Sequence, residues 1–469
     1  MMRRRTLAAV LALGTALGGV PAWAESLADS MVAAYRHSSL LDQNRALLRA
    51  ADEDVASATA ALRPVVQWVA SHNFTRSDGV EIVSDTVQLV GQMTLYDWGR
   101  NQLAIDIAKE QVLSTRESLI AVEQDVLLSA VQAFLEVRSA EQQVALNRNS
   151  VELLGRERQA AQDRFDVGEI TTTDVALADA QLAATRASLA AAEGQLAVAR
   201  EAYTAAVGRK PGKLDAPPPL PKRPKSLESA RATAVKTHPA IRQAQRAVAA
   251  TELGVAAAAA ERRPEVTGSL GLGTTRRPQQ TIFGLGDPET TTTLSGSIEA
   301  KQTIYSGGRL PAAHRKQMAQ RDAARSALLN ASRQVAEAVG KAWASIDVAR
   351  AQIGAIDQQI SAAQQAYDGV REEATLGART TLDVLDAEQN LLEARANKIT
   401  AEANLQLAHY QLLAAMGLLT VKDLKLGVPT YDPSAYYNAV REAPYTSTQG
   451  ENLDRVLRAI GRDPGKPRN

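Results

Sequence analysis

The chain has 469 residues, a formal net charge of +1 and no cysteine. A charge this close to neutral does not indicate nucleic-acid binding, and the lack of cysteine excludes disulfides, thiolate metal sites and cysteine nucleophiles. Aromatic residues make up 4% of the chain although hydrophobic residues make up 45%, so the apolar content is largely Ala, Leu and Val. This composition favours long, closely packed helices over a globular core built on aromatic rings.

The first 24 residues have the three parts of a secretory signal peptide. Arginines at positions 3–5 precede an apolar run over 7–20, and Ala22-Trp23-Ala24 forms a small-x-small cleavage site. The apolar run is shorter than the ~20 residues of a membrane span, so we predict export with cleavage rather than an N-terminal anchor. No cysteine follows the cut to carry a lipid, and no later run of 18 apolar residues occurs. Membrane insertion would therefore need something other than apolar helices.

After the signal peptide the chain is an internal duplication. The stretch "RFDVGEITTTDV" from Arg164 is repeated as "EATLGARTTLDV" from Glu373, which places Gly168 and Gly377 209 positions apart. "LYDWGRN" and "IYSGGRL" lie the same distance apart. We predict a first structural repeat over 25–212, a Pro-rich linker over 213–225, a second repeat over 226–418 and a final segment over 419–469.

Each repeat is predicted to contain a helix, two strands, a very long helix, a turn and a helix. The leading helix of the first repeat covers about 26–62 and ends before a proline. A loop is expected within "FGLGDPETTTT", where the second repeat carries nine additional residues. The strands and the two later helices are expected at about 65–76, 85–97, 101–167 and 172–207 in the first repeat, and at about 265–275, 291–305, 309–376 and 380–417 in the second.

The long helix of the first repeat has coiled-coil periodicity. Leu113, Ile120, Leu127 and Phe134 are spaced seven apart, and about 65 residues pass without a proline. At 1.5 Å per residue such a helix is roughly 100 Å long, which is too long for a globular domain.

The predicted strands alternate apolar and polar residues over about 10 to 12 positions, a pattern typical of transmembrane β-barrel strands. One chain supplies four of them, fewer than the ~8 strands of the smallest bacterial barrels. Because an open sheet edge is not tolerated in lipid, several chains would have to close one barrel. Two chains would give 8 strands, three would give 12 and four would give 16.

The duplicated unit and its two pairs of motifs resemble the TolC family of outer-membrane efflux and secretion channels. The resemblance covers residue 26 to about residue 426 and implies a mainly α fold with a small β part. As a homotrimer, such a chain forms a 12-strand transmembrane β-barrel continuous with a 12-helix periplasmic α-barrel. The final segment would then be an equatorial piece followed by a mobile polar tail.

The same resemblance implies a location and partners. The channel would lie in the outer membrane of a Gram-negative bacterium, in contact with its lipid, and project into the periplasm. A periplasmic adaptor (membrane fusion) protein and an inner-membrane ABC or RND transporter would complete the system. The duct itself would be passive and gated at its periplasmic tip.

Asp383 and Asp386 are the candidate gate residues. Spaced three apart, they share one face of a helix. The resemblance matches them to an acidic constriction, and rings of Asp produce cation selectivity. A purely structural reading, in which an acid in the first turn complements the helix dipole, suits Asp383 better than Asp386.

Three further residues are candidates for a lock at the tip. The resemblance matches Arg379, Thr173 and Asp174 to positions whose hydrogen bonds and ion pairs hold the tip closed. The sequence departs from the usual pattern at Ala374 and Glu373. We therefore expect the lock to be weaker or differently built.

The turns between the helices combine conformational and functional roles. Glycine supplies the positive φ that ends a helix, and the Thr-x-x-Asp pairs that follow resemble capping boxes. Every helical hairpin needs such residues, so their docking role rests on the resemblance, in which the turns meet the adaptor. The docking candidates are Arg164, Val167, Gly168, Leu376 and Gly377.

A last group of candidates lies where the strands lead into the long helices. Aromatic residues at these strand ends fit an interfacial aromatic girdle. The candidates are Tyr96, Trp98, Gly99, Arg100, Tyr305, Gly307, Gly308 and Arg309.

Catalytic chemistry finds no support in the sequence. The five histidines are scattered without metal-ligand spacing, and "GSLGLGTT" lacks the strand-turn-helix context of a nucleotide loop. We expect no catalytic residue, metal, cofactor or nucleic-acid partner. The predicted function is an exit duct for type I secretion or multidrug efflux, and "YDPSAYY" from Tyr431 resembles the ends of secretion-type members. The alternative is a structural periplasmic coiled-coil or adaptor protein without membrane strands.

Overall fold

The computed structural model describes residues 25–77, 80–281, 284–442 and 455. The predicted signal peptide and most of the predicted polar tail lie outside these residues. The first repeat contains α1 (Leu27–His37), α2 (Ser39–Ala60), β1 (Val65–Ser77), β2 (Val80–Tyr96), α3 (Arg100–Asp166) and α4 (Thr172–Val207). The second contains α5 (Leu227–Thr237), α6 (Pro239–Ala260), β3 (Glu265–Thr281), β4 (Gly284–Lys301), α7 (Arg309–Thr375) and α8 (Thr381–Ala415), and α9 (Pro433–Val440) follows.

The leading helix of each repeat is broken, which corrects the prediction of one continuous helix over about 26–62. In the second repeat Pro239 is the first residue of α6, and a residue before proline is disfavoured in the α conformation. His238 accordingly has an extended backbone. In the first repeat Ser38 takes the equivalent position with the same kind of backbone, at φ −67° and ψ 110°.

The strands also differ from the prediction. β2 begins at Val80 rather than near 85, and β4 ends at Lys301 rather than near 305. Much of "FGLGDPETTTT" lies in β4 and is not a loop, because it pairs with the far half of β3 through residues such as Thr290 and Arg276. Ladder hydrogen bonds extend a hairpin beyond the stretch where apolar and polar residues alternate. The alternation therefore marked only part of each strand.

The chain forms two compact units, and each contains segments of both repeats. Unit 1 comprises Met1–Ser39, Glu123–Ala232 and Ala338–Val428, and unit 2 comprises Leu40–Val122, Thr233–Glu337 and Pro429–Asn469. The sequence repeats are therefore not separate compact domains. The four strands belong to unit 2, and both helix-to-helix turns belong to unit 1.

The four strands of unit 2 form one antiparallel sheet in the order β1-β2-β3-β4. In the register of this sheet, Leu89 of β2 lies opposite Trp68 of β1 and Leu272 of β3. Leu272 in turn lies opposite Leu294 of β4. Large apolar residues thus form a row across all four strands.

The helical part of unit 2 has a small apolar core with tyrosine side chains packed against it. Leu48, Val55 and Val112 are buried together, and tyrosines of the C-terminal segment pack against them. The guanidinium of Arg116 lies 5.2 Å from the ring centroid of Tyr437. The "YDPSAYY" motif therefore anchors α9 on its own chain.

Unit 1 contains a buried polar network around Tyr203, whose side chain is fully buried. Its hydroxyl donates to the carboxylate of Glu25 at 2.6 Å and lies 2.8 Å from Ser30 Oγ. Arg209 Nε also donates to Glu25, at 3.1 Å. Burial, followed by the hydrogen bond to Glu25, raises the pKa of the Tyr203 phenol. This network ties the start of α1 to the end of α4.

Among the described helices, α3 alone contains an 18-residue window, of mean hydropathy 1.4, that is apolar enough to cross a membrane by length and composition. Of that window, 44% is buried inside the protein. A helix in a protein core passes the same test, so the window alone does not identify a span.

We predict that Tyr203→Phe loosens α1 locally. Removing the hydroxyl leaves Glu25 with one donor fewer in a buried site, which costs about 1–2 kcal/mol. Hydrogen exchange of α1 amides is expected to accelerate by roughly tenfold. Tyr305→Phe removes the same hydroxyl from a side chain that is 87% exposed, and it is expected to leave exchange unchanged. Equal behaviour of the two variants would contradict the prediction.

Candidate functional site

The two faces of the sheet differ in polarity and in exposure. Along β2, the odd-numbered residues from Val87 to Leu95 are largely apolar and the even-numbered residues between them largely polar. On the inner strands the apolar side chains are exposed, with Leu89 at 50% and Leu272 at 53%, whereas the polar residues between them on β2 are largely half-buried. On the edge strands, where residues of both faces are exposed, the apolar side chains are exposed as well, with Leu294 at 71%. A sheet that packs on a water-excluding core has the reverse arrangement. An exposed apolar face opposite a polar face is the pattern of a sheet that contacts lipid.

The sheet also has two open edges. Among the described strands, β1 pairs only with β2 and β4 pairs only with β3. The outer edges therefore present rows of unpaired backbone N–H and C=O groups. Such edges are costly in hydrocarbon unless another strand pairs with them.

The first strand-to-helix junction is a compact turn built around Trp98. The ring of Trp98 lies edge-on to that of Tyr96 with centroids 5.0 Å apart. Trp98 has a φ of 58° and Gly99 a φ of 82°, so two successive residues are left-handed. This conformation costs a tryptophan roughly 1–2 kcal/mol. Arg100 begins α3 and forms a 2.9 Å ion pair with Glu265.

The second junction has the same backbone conformation, but a glycine takes the position of Trp98. Gly307, which stands where Trp98 stands in the first repeat, has a φ of 60°, and Gly308 has a φ of 88°. Arg309 begins α7. Tyr305 is 87% exposed and lies beyond the end of β4. The structure thus places the three aromatic candidates differently, because Trp98 packs on Tyr96 at the first junction and Tyr305 is exposed after a strand.

The two turns between helices have matching geometry. Gly168 has a φ of 83° and donates its N–H to Phe165 O at 2.8 Å. Gly377 has a φ of 77° and donates to Ala374 O at 3.1 Å. In each turn the N–H of the residue after the glycine donates to the carbonyl oxygen five residues earlier. This bond satisfies a carbonyl at the end of the preceding helix.

Both turns expose one apolar side chain at equivalent positions. Val167 is 70% exposed and Leu376 is 84% exposed. Arg164 lies half-buried on the last turn of α3. Each hairpin therefore ends in an exposed apolar residue beside its glycine.

Asp383 is used by the helix cap. Its carboxylate accepts from the Thr380 backbone N–H at 3.0 Å and from the Thr380 hydroxyl at 2.9 Å. The backbone hydrogen bond, followed by the hydroxyl bond, holds the pKa of Asp383 below its usual range. Asp386 lies one turn further along α8 and is exposed. The capping role predicted for Asp383 is thus visible, and Asp386 is the more available carboxylate.

The lock candidates bond within their own turns. Arg379 Nε donates to Glu373 at 2.9 Å. Asp174 accepts from the Thr171 backbone N–H at 2.9 Å, and Thr173 is exposed. In the described part of the chain, no hydrogen bond or ion pair joins Arg379 to Thr173 or Asp174. Glu373, which appeared in the sequence only as a departure, is therefore the partner of Arg379.

Sequence reasoning missed a second residue, Glu388. It lies on the buried face of α8 and is only 5% exposed. Comparison of the two repeats points to this residue. Its equivalent in the first repeat, Asp179, forms an ion pair with Arg158, but the residue equivalent to Arg158 in the second repeat is Tyr367.

An exposed apolar sheet face with open edges, together with duplicated 67-residue helices, defines an outer-membrane channel protein. The family model "Outer membrane efflux protein" matches residues 32–209 and 231–418. The chain belongs to this family. Its members are passive channels, so the chain is an outer-membrane channel and not an enzyme.

Individual relatives agree with this assignment. The outer membrane efflux protein BepC of Brucella suis is 35% identical over 93% of this chain and 94% of its own length. The outer membrane protein TolC of Vibrio cholerae is 25% identical over 88% of this chain and 95% of its own length. The resemblance stated from the motifs is therefore confirmed.

Solved structures confirm the fold. A structure of CusC superimposes with a TM-score of 0.74 at 18% identity, covering 84% of this chain and 92% of that chain. The open state of the MtrE outer membrane channel of Neisseria gonorrhoeae gives 0.71 at 20% identity, with 84% and 89% covered. The mainly α fold with a small antiparallel sheet is that of these channels.

We predict that acid loosens the start of α8. Because the folded pKa of Asp383 is depressed, its stabilising effect is present above its ordinary pKa of 3.8 and is lost as pH falls through the folded value. Amide exchange in the first turn of α8, measured from pH 6 to about pH 3 and corrected for intrinsic rates, should rise relative to mid-helix amides. Asp383→Asn should remove this dependence and Asp386→Asn should retain it. A dependence that survives Asp383→Asn would refute the assignment.

Proposed function

We propose that three copies of the chain form one channel. Three sheets would close a 12-strand barrel, and the long helices would form a 12-helix periplasmic tunnel. The supporting observation is the sheet itself, which exposes apolar residues on one face and whose two edges pair with no other strand in the described ranges. Edge pairing alone also permits two or four chains, and the family resemblance favours three.

The proposed activity is passive export through this duct. A periplasmic adaptor protein and an inner-membrane ABC or RND transporter would deliver cargo and supply the energy. Of the two routes, we favour efflux, because BepC, at 35% identity, is named an efflux protein. The resemblance of "YDPSAYY" to the ends of secretion-type members stays a prediction, and Tyr431 and Tyr437 of this motif pack on the core of unit 2.

The tip residues have two proposed roles. Threefold symmetry would arrange Asp383 and Asp386 as two stacked carboxylate rings that select cations and narrow the pore. Exposed Val167 and Leu376 would contact the adaptor, because single apolar residues at the ends of two hairpins suit a helical partner. Arg379, held by Glu373, would contribute to closure from the same turn.

The membrane face can be tested with one charge on either side of β4. Leu294→Arg puts a cation on the apolar face at a cost of about 2–4 kcal/mol in lipid. It is expected to reduce the outer-membrane fraction and the heat-resistant trimer on gels. Thr293→Arg, on the opposite face, is expected to preserve both.

The alternative, a periplasmic coiled-coil or adaptor protein without membrane strands, predicts another result. Both variants and the wild type would then appear in the soluble periplasmic fraction without a heat-resistant trimer. That outcome would overturn the proposed function.

The gate can be tested by conductance in planar bilayers. The double variant Asp383→Asn and Asp386→Asn removes up to six carboxylates from the proposed rings of a trimer. We expect higher conductance, weaker cation selectivity and loss of block by multivalent cations from the periplasmic side. Asp166→Asn, which removes an exposed acid near the other turn, is the control and should behave as wild type. Unchanged conductance and block in the double variant would show that the rings are wrongly assigned.

A further inference from the structure

The side of α8 that faces its neighbouring helices carries one acidic residue. Val384, Leu385 and Leu391 are buried on this side, and each packs in an apolar cluster. Glu388 lies between them and is 5% exposed. A carboxylate in such a position is costly unless it is paired or protonated.

The surroundings of Glu388 leave half of its carboxyl group without a partner. Ser150 Oγ of α3 donates to Oε1 at 3.4 Å, and Oε2 is buried with no hydrogen bond. The hydroxyl of Tyr367 on α7 is also buried and unbonded. Both side chains line a cavity of about 150 Å³ between α3, α7 and α8.

Few charged groups face this carboxyl. Glu157 of α3 and Arg371 of α7 interact with it electrostatically and form an ion pair with each other at 3.6 Å. On α8 itself Arg395 lines the cavity, and its Nη donates to Gln364 at 2.7 Å. Burial first, then the charge of Glu157, raises the pKa of Glu388 to about 7. On the side of α8 that packs on α4, Leu385 contacts Leu182, and this contact is apolar.

In the first repeat the acid equivalent to Glu388 has a cationic partner. Asp179 is the equivalent of Glu388, and Arg158 Nε donates to it at 2.8 Å. The residue equivalent to Arg158 is Tyr367. Both repeats therefore carry an acid at this position, which is exposed and paired with an arginine in the first repeat and buried near a phenol in the second.

We propose that Glu388 is a proton-binding positioning residue of the channel tip, which holds α8 against α3 and α7 when protonated and releases it when charged. This inference rests on the proposed function and adds its regulation. Glu388 lies two residues after Asp386, so a movement of α8 here would move the proposed ring.

The direction in which pH shifts the packing of α8 follows from the cost of burying a charge. A neutral carboxylic acid can remain in the cavity, with Tyr367 and Ser150 as hydrogen-bonding neighbours. A carboxylate requires water or a cation, and the Arg371 guanidinium near it is already paired with Glu157. Water that enters to hydrate the carboxylate weakens the packing of α8 on α3 and α7. Acid in the periplasm would therefore favour the closed tip, and neutral to alkaline conditions would favour opening.

The size of the effect follows from proton linkage. If Glu388 is hydrated when α8 is released, its pKa there returns to the ordinary value of 4.5. The ratio of open to closed tips is then expected to rise about tenfold per subunit between pH 6 and pH 8. The pKa of Asp383 lies below its usual range, so its titration falls outside this interval.

The experiment measures open probability of the full-length channel in planar bilayers as the pH on the periplasmic side is varied from 6 to 8. Wild type should open with rising pH. Glu388→Gln, which is neutral and of the same shape, should stay in the low-pH state throughout. Glu393→Gln removes an exposed acid from the same helix and should respond as wild type.

A second variant tests the pairing directly. Tyr367→Arg supplies the partner that Arg158 supplies in the first repeat, so α8 should remain packed at both pH values. Hydrogen exchange of α8 amides, corrected for intrinsic rates, gives a readout independent of conductance. It should increase between pH 6 and pH 8 in wild type and stay constant in both Glu388→Gln and Tyr367→Arg.

The outcomes separate this inference from the proposed function. Pores whose opening and α8 exchange do not change between pH 6 and pH 8, or change equally in Glu388→Gln, would overturn the role of Glu388 alone. Absence of any pore in wild type would instead overturn the channel function.

Discussion

The structure depends on one constraint, that the backbone of a strand in lipid must have every hydrogen bond satisfied by protein. The four described strands cannot meet this requirement by themselves, because β1 and β4 each have an edge with which no other described strand pairs. The side chains point to the same environment, since Trp68, Leu294 and Ile298 are exposed where a water-facing sheet would carry polar residues. In the channel that we propose, neighbouring chains would pair with the edges and lipid would cover the apolar face. The two requirements are independent, and one assembly satisfies both.

Duplication supplies two hairpins and two tip turns to each chain, but the copies have diverged where function is proposed. Gly307 replaces a strained Trp98, so the left-handed backbone was kept without the aromatic ring. Glu373 replaces the arginine at position 164 and thereby gains Arg379 as a partner. Backbone geometry is thus common to both copies, whereas the side chains at these positions differ. Such divergence on a shared backbone is what the proposed gate, in which the two copies have different roles, requires.

The sequence predicted the elements well because their determinants are local. Helix periodicity, the capping threonines and the turn glycines act within a few residues, and α4 begins and ends where predicted, at Thr172 and Val207. The break at Ser38 was missed because it has no proline, although its equivalent precedes Pro239. Strand ends were missed because ladder bonds continue past the alternation. Burial of Glu388 depends on the packing of α8 against α3, which is distant in sequence, so the sequence alone could not have shown it.

The polar groups of the turns between helices bond within their own turns, and this bears on the closure that we propose. One carboxylate oxygen of Asp383 is bonded to Thr380, one of Asp174 to Thr171, and Arg379 Nε to Glu373. Contacts between chains at the turns would compete with these bonds or use the remaining oxygens and N–H groups, and competition lowers their net gain. In the proposed channel, packing of the helices next to the turns would therefore add to the closing free energy. That packing contains the buried acid Glu388, which has an oxygen without a hydrogen bond, and its charge would therefore act on closure.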